Sequence, residues 1–334
     1  MELTEFSADD ETAVAGWVAV VNASQETDSP WEPPKTAYRM GMEMRYGWDG
    51  ELGRYFLARD GCTAVGVLEV HTSDYDNLDM AWLELMVHPA HRRRGHGTAV
   101  FAVASETCAG IGRNLLGMDG WDNPATTGFA AAAGAELKSR TIQRRMMIRQ
   151  VPAAQLARMY DETVARAADY ELVRIAGRTP PELLEALAEA TGAINDAPLD
   201  DLEMEDERYD AARVAAYESA QIDGDHRFYR VLARHRVSGE IGGHTVVSVD
   251  ADQPAVADQH DTSVVATHRG HRLGLLLKTD MVRWLVEAEP EVTAIDTWNA
   301  ESNDHMIAVN EALGYRVIGR ALLFQRRLGA PAPG

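Results

Sequence analysis

Val87-His88-Pro89-Ala90-His91-Arg92-Arg93-Arg94-Gly95-His96-Gly97 is answered later in the chain by Val264-Val265-Ala266-Thr267-His268-Arg269-Gly270-His271-Arg272-Leu273-Gly274. Each stretch ends a β-prone run, turns through basic residues and glycine, and opens onto an apolar helical segment. Arg92 and Arg269 lie 177 residues apart, and Asn123 and Asn303, beyond each turn, lie 180 apart. Two landmarks at nearly one spacing indicate a duplicated domain.

Working outward, the order of elements repeats as well. The first unit, residues 1–150, reads as a strand at 2–6, a helix from Asp9 to Asn22, and a break at Pro30-Trp31-Glu32-Pro33-Pro34. A hairpin follows at 54–58 and 63–71 about Asp60-Gly61, then a strand at 81–87 and a helix at 97–111. A strand at 115–118, a helix at 124–133 and a strand at 141–150 close it. Residues 151–168 read as a helical connector.

The second unit, 169–330, restarts with a strand at 170–175 and helices at 181–190 and 209–220 around an acidic loop. Strands at 226–235, 243–249 and 261–265 lead to a helix at 275–287 and a strand at 293–298. A helix at 304–312 and strands at 315–317 and 322–327 end it. Both units are α/β.

The chain has 334 residues, 46% hydrophobic and 25% charged, ordinary for a globular protein and long enough for two cores. No apolar run reaches the length of a membrane span, and the acidic start Met1-Glu2-Leu3-Thr4-Glu5 lacks a secretion pattern. Cys62 and Cys108 make neither a disulfide framework nor a metal site, which suits a cytoplasmic protein without a metal. A net charge of −20 argues against nucleic acid and anionic membrane as partners and favours a cationic ligand. Nothing indicates an oligomer.

Open amides at a helix N-terminus form an anion site that the helix dipole reinforces. Glycine lets backbone approach phosphate oxygens, and arginine adds bidentate charge-assisted bonds. Neither turn ends in the Gly-Lys-Ser/Thr of a P-loop. Neither has the three glycines of a dinucleotide fingerprint.

The pattern Val-x-Pro-x-x-Arg-x-x-Gly-x-Gly, between strand and helix, resembles the acyl-CoA-binding motif of the GCN5-related N-acetyltransferase (GNAT) superfamily. Thr297-Trp298-Asn299-Ala300-Glu301-Ser302-Asn303 through Asn310-Glu311-Ala312-Leu313-Gly314-Tyr315 resembles that family's second cofactor segment. The architecture is similar to the tandem actinobacterial type, of which mycothiol synthase is one member. The resemblance implies two tandem GNAT-like domains, each a mixed, mostly antiparallel sheet flanked by helices.

It further implies acetyl-CoA as donor and a small-molecule amine or peptide N-terminus as acceptor. Arg92, Arg93, Arg94, Gly95, His96 and Gly97 would hold the pyrophosphate in the first unit. Arg269, Gly270, His271, Arg272, Leu273 and Gly274 would hold it in the second. Met86, Val87, Val264 and Val265 would pair with the pantetheine arm, and Asn123 and Asn303 match the cofactor-side asparagine. Read without the resemblance, each asparagine is equally a helix cap.

The family's chemistry is direct attack of an amine on the thioester. A lysine-like amine, with pKa about 10.4, costs roughly 4 to 5 kcal/mol to deprotonate near pH 7. A positioned base therefore matters. Glu84 and Asp261, each three residues before its Val, are the candidates, with Asp261 favoured; the alternative is a pair of solvent-facing carboxylates.

Many members carry a tyrosine acid seven residues after the asparagine; here Ala130 and Asn310 stand there. Asn310 can donate a hydrogen bond to sulfur but is no acid. A CoA thiolate, with thiol pKa about 8.5, can leave without strong acid help. The second unit keeps more of the pattern and is expected to be catalytic; the first is expected to be a partly degenerate copy that still binds CoA. The acidic loop Asp200-Asp201-Leu202-Glu203-Met204-Glu205-Asp206-Glu207 either attracts a cationic acceptor or is a solvated charge run. An alternative from another class is a non-catalytic acyl-CoA-binding or sensing module.

Overall fold

A computed structural model describes residues 1–329, and its chain divides into two compact units. In the first, β1 (Glu2–Phe6), β2 (Arg54–Asp60), β3 (Thr63–His71) and β4 (Met80–Val87) form an antiparallel meander. β5 (Leu115–Trp121) joins it in parallel to β4. Helices α1 (Glu11–Asp28) and α2 (Ala37–Tyr46) start at Asp10 and Thr36, whose side-chain oxygens accept the backbone N–H three residues on. They bury Val14, Trp17, Val21 and Met40 against Tyr55, Leu57 and Val67 on one sheet face. Helices α3 (His96–Gly110) and α4 (Pro124–Ala133) cover the other face through Val100, Phe101, Ala104 and Ala130.

After β6 (Glu136–Met147) come α5 (Ala153–Arg166), β7 (Tyr170–Ala176), α6 (Pro181–Thr191) and α7 (Ala211–Asp223). Then follow β8 (His226–His235), β9 (Ile241–Asp250) and β10 (Val256–Val264), antiparallel in series from β7. α8 (Leu273–Ala288) leads to β11 (Ala294–Ala300), parallel to β10, then α9 (Asp304–Ala312) and β12 (Arg316–Arg327). In α8, Leu273, Leu277, Met281 and Leu285 recur every four residues, and all are buried against Val231, Val247 and Ile295. Each such leucine contributes roughly 1.5 to 3 kcal/mol by leaving water. On the opposite face α6 and α7 bury Leu187, Ala188 and Val214 against Leu232 and Ile241.

The sheet of each unit is closed by a strand that sequence alone places elsewhere. Unit 1 comprises residues 1–141, 199–205 and 319 onward, so Gly319 to Arg327 of β12 belong to it, and Ala321 to Arg327 pair antiparallel with β5. Unit 2 comprises 142–198 and 206–318, and there Ile142 to Met147 of β6 lie beside β11. The two strands carry similar ends, Gln143-Arg144-Arg145 and Gln325-Arg326-Arg327, so nothing in their composition distinguishes own from exchanged pairing. The expected boundary at 150 is therefore displaced, and the expected breaks between 315–317 and 322–327 are one strand.

The expected connector is not a linker. α5 packs Leu156 into the unit 2 core, with Met159 and Tyr160 against it. Residue 330, the expected end of the second unit, lies outside the described residues. Among the described residues no helix is long and apolar enough to cross a membrane.

Candidate active sites and coenzyme cradles

Both basic turns close in the same way. Arg92 Nε donates to the Val87 carbonyl at 3.0 Å, and Arg269 Nε donates to that of Val264 at 3.1 Å. Each guanidinium also grips a carboxylate, Asp28 for Arg92 and Asp196 for Arg269. These two arginines brace the turn, so their charge is already matched and not directed at phosphate.

Two residues per turn adopt the left-handed region: Arg93 (φ 61°) and Gly95 (85°), then Gly270 (90°) and Arg272 (58°). The glycine has simply moved from one such position to the other. The geometry turns successive amides outward. Among the described residues no acceptor bonds the amides of Arg93 to Gly97 or of Gly270 to Gly274. Five open amides at a helix N-terminus suit a diphosphate.

Arg93, Arg94 and Arg272 are exposed and make no ion pair among the described residues, which leaves them available to anionic oxygens. Gly97 and Gly274 pass next to Val87 and Val264, the ends of the preceding strands. The side chain of Leu273 is buried in the core, so only its amide serves the cradle. His271 lies against Tyr170, ring centroids 5.4 Å apart.

Beside each turn the parallel strands part. β4 and β5 pair as far as Leu83 and Met118, and β10 and β11 as far as Gln259 and Thr297. Past those points Glu84 to Val87 and His260 to Val264 have no parallel neighbour among the described residues. The open notch brings Glu84, Met86 and Val87 beside one cradle and Asp261, Val264 and Val265 beside the other. Asn123 and Asn303 are helix caps: Asn123 Oδ1 accepts from Ala125 and Thr126, and Asn303 Oδ1 from Met306.

The carboxylates on the parting strands differ. Asp261 is half-buried, accepts no hydrogen bond among the described residues, and is pushed up to about 6. Burial is the main cause, Glu207 adds to it, and Arg230 opposes it. Glu84 faces Glu69 directly across β3 and β4. Burial, then Glu69 and Asp119, push it up to about 8. Glu84 also reaches solvent, so the facing Glu69 is the cause its place in the sheet guarantees.

Around Asp261 lies a polar interior that sequence reasoning missed. Arg230, 1% exposed, pairs with Glu218 at 3.1 Å and donates to His244 Nδ1 at 3.0 Å. Burial and the adjacent Arg230 hold His244 well below its ordinary range. His260 is bonded between Tyr217 and Ser248 and is lowered to about 3, so both imidazoles are neutral at pH 7. The available signal was Arg230 at an inward position between Phe228 and Leu232, a local violation of strand patterning.

Asn310 is fully buried. It accepts from Lys278 Nζ at 2.6 Å and donates to Asn299 Oδ1 at 2.6 Å. Lys278, over the ring of Tyr315 at 4.8 Å, is lowered to about 7 by burial. Asn310 is thereby held from both sides. The acidic loop is likewise engaged: Asp200 accepts from Ser139, Glu203 from Arg327, and Glu207 from Tyr209. It is not a bare charge patch.

Residues 17–133 match the model of the acetyltransferase (GNAT) family. The whole chain superposes on a tandem GNAT protein from the clavulanic acid biosynthesis pathway. That match has a TM-score of 0.79 and 27% identity, and covers 99% of each chain. This is a tandem GNAT fold. A GCN5-related N-acetyltransferase from Sphaerobacter thermophilus shares the fold at TM-score 0.66 and 17% identity, over 100% of this chain and 96% of its own. No curated protein matches the sequence. The GNAT family match falls on the unit expected to be the more degenerate.

Proposed function

We propose that this chain moves an acetyl group from acetyl-CoA to a primary amine of a small molecule or peptide N-terminus, with the chemistry at Asp261 in the second unit. Acetyl-CoA supplies the activated acyl group. The observation that carries the reading is a half-buried carboxylate, accepting no hydrogen bond among the described residues, on the stretch of β10 that has parted from β11. Asp261 takes the proton that the acceptor's nitrogen sheds as it bonds to the acyl carbon; the thiolate leaves and is protonated by solvent. A base with pKa about 6 is ionised at neutral pH yet still basic enough to remove that proton.

The open amides of Gly270 to Gly274 with Arg272 bind the coenzyme's phosphates there, and those of Arg93 to Gly97 do so in the first unit. The net charge of −20 favours a cationic acceptor, and two free cysteines suit a cytoplasmic setting. Release of CoA thiol, measured with acetyl-CoA and a panel of amines, tests the proposal. Coenzyme binding without turnover on any amine would instead favour a non-catalytic acyl-CoA sensor. One observation favours that second reading: Ala130 and the immobilised Asn310 stand where a proton donor to sulfur is expected.

A further inference from the structure

One face of the first unit's sheet carries a cluster that acyl transfer at Asp261 does not use. Glu69 and His71 alternate along β3, and Glu84 stands directly opposite Glu69 on β4, so all three project to one side. One ligand atom from each lies within 4.8 Å of the other two, and Glu69 Oε2 is 3.2 Å from His71 Nε2. Two carboxylates facing each other across a sheet repel when both are ionised, and a cation between them relieves that repulsion. The ligands come from adjacent strands of a continuous sheet, so their spacing is set by the backbone.

A second observation points to the same place. Tyr55, on β2, is directly opposite Glu69, 2% exposed, and its hydroxyl has no hydrogen-bond partner among the described residues. Its ring stands edge-on to His71, with centroids 6.2 Å apart. A buried hydroxyl without a partner is costly unless something polar completes it. A metal-bound water would do so.

We infer that Glu69, His71 and Glu84 form a site for a divalent transition-metal cation, with Tyr55 facing its open coordination position. Two carboxylates and an imidazole are the mixed oxygen and nitrogen set that zinc accepts with three protein ligands and one exchangeable position. The imidazole adds the nitrogen donor that suits zinc, where oxygen ligands alone suit magnesium or calcium. The site lies beside the first unit's parting strands. It gives Glu84 a ligand's role where Asp261 has a base's role.

The test is calorimetric titration of the untagged full chain with Zn²⁺ alone. The expected result is one zinc per chain. His71→Ala and Glu84→Gln should each weaken it by at least the ~10- to 100-fold that loss of even an outer-shell partner costs. His71 and Glu84 both reach solvent, so either variant reports if the other fails to fold. His91→Ala, in the nearby histidine-bearing turn, should bind zinc as the parent does. The inference is overturned if the parent takes up no zinc, or if His71→Ala and Glu84→Gln bind it unchanged. Loss of zinc binding in His91→Ala would also overturn it. So would a site that ignores zinc but binds 1,4-diaminobutane, with that binding lost in Glu84→Gln.

Discussion

In the first unit Arg93 and Arg94 both stand clear of carboxylates beside the open amides, whereas in the second only Arg272 does. The order reverses at the parting strands. There Glu84 is paired across the sheet with a second carboxylate, while Asp261 lies among neutral imidazoles and a guanidinium, with Glu207 acting on it as a lesser influence than burial. A duplicated fold has thus kept more unpaired arginine at one turn and a more isolated carboxylate at the other, the features on which the proposed cradle and base rest. The family match covers 17–133 and so includes both Glu84 and the first turn.

The comparison breaks most readily at that base. Asp261→Asn should lower turnover by about 10²-fold or more, the usual worth of a positioned general base. The parent's kcat/KM should rise with pH through about 6, because only the ionised carboxylate accepts a proton. Steady-state CoA release at several pH values measures both. If Glu84→Gln costs as much as Asp261→Asn, the assignment of chemistry to the second unit is wrong.

The next effect concerns the cores. The 177-residue offset between turns sets Lys278 against Phe101, and the 180-residue offset sets Asn310 against Ala130. An apolar pair in one unit is a buried amine and amide in the other. Removing the acceptor in Asn310→Ala leaves Lys278 buried and unpaired, which should cost about 2 to 3 kcal/mol in denaturant unfolding.

Lys278 also gives stability a pH dependence of known sign. Its folded value, about 7, lies below its ordinary 10.5, so between those limits the unfolded chain binds more protons. Stability contributed by this residue therefore climbs from pH 7 towards 10.5 and is lowest below 7. Lys278→Met should abolish that climb. A parent and variant with the same pH dependence would show that Lys278 is not desolvated.

What could be read from sequence follows from range. The turns, the flanking elements and the doubling were legible because each depends on neighbours a few residues away. His226–His235 and Asp304–Ala312, for example, fall where patterning puts them. α2 was missed: its run Ala37-Tyr38-Arg39-Met40-Gly41 follows a proline-rich break and shows no continuous apolar stripe, although Thr36 caps it. The exchange of β6 and β12 was invisible, since two strands with similar Gln-Arg-Arg ends satisfy either pairing. Asp261 could be singled out from its distance to the turn, but Arg230, His244 and Lys278 could not, because long-range packing alone makes them buried. Arg92 and Arg269 looked like phosphate ligands until Asp28 and Asp196 appeared opposite them.

The cradles should differ in affinity by a smaller margin. Arg93→Ala with Arg94→Ala removes two exposed charges from the first turn, and should weaken its coenzyme binding by about 1 to 2 kcal/mol, near tenfold. Arg272→Ala, losing one charge, should weaken the second by less. Equal losses at the two turns would mean that open amides, common to both, carry the binding.

The smallest effect isolates the backbone. Arg93 and Arg272 adopt left-handed φ values of 61° and 58° without being glycine, at a cost of about 1 to 2 kcal/mol each. Arg272→Gly should recover part of that, offset by the extra freedom glycine has when unfolded, for a net gain of a few tenths to about 1 kcal/mol. Gly270→Ala should lose about 1 kcal/mol, because φ there is 90° and a Cβ meets strain, though open space surrounds it. Thermal unfolding of the two variants separates conformational strain from charge. If Arg272→Gly destabilised the protein, the side chain would be making a contact worth more than its strained backbone costs, and the two turns would not be equivalent in the way their matching dihedral angles indicate.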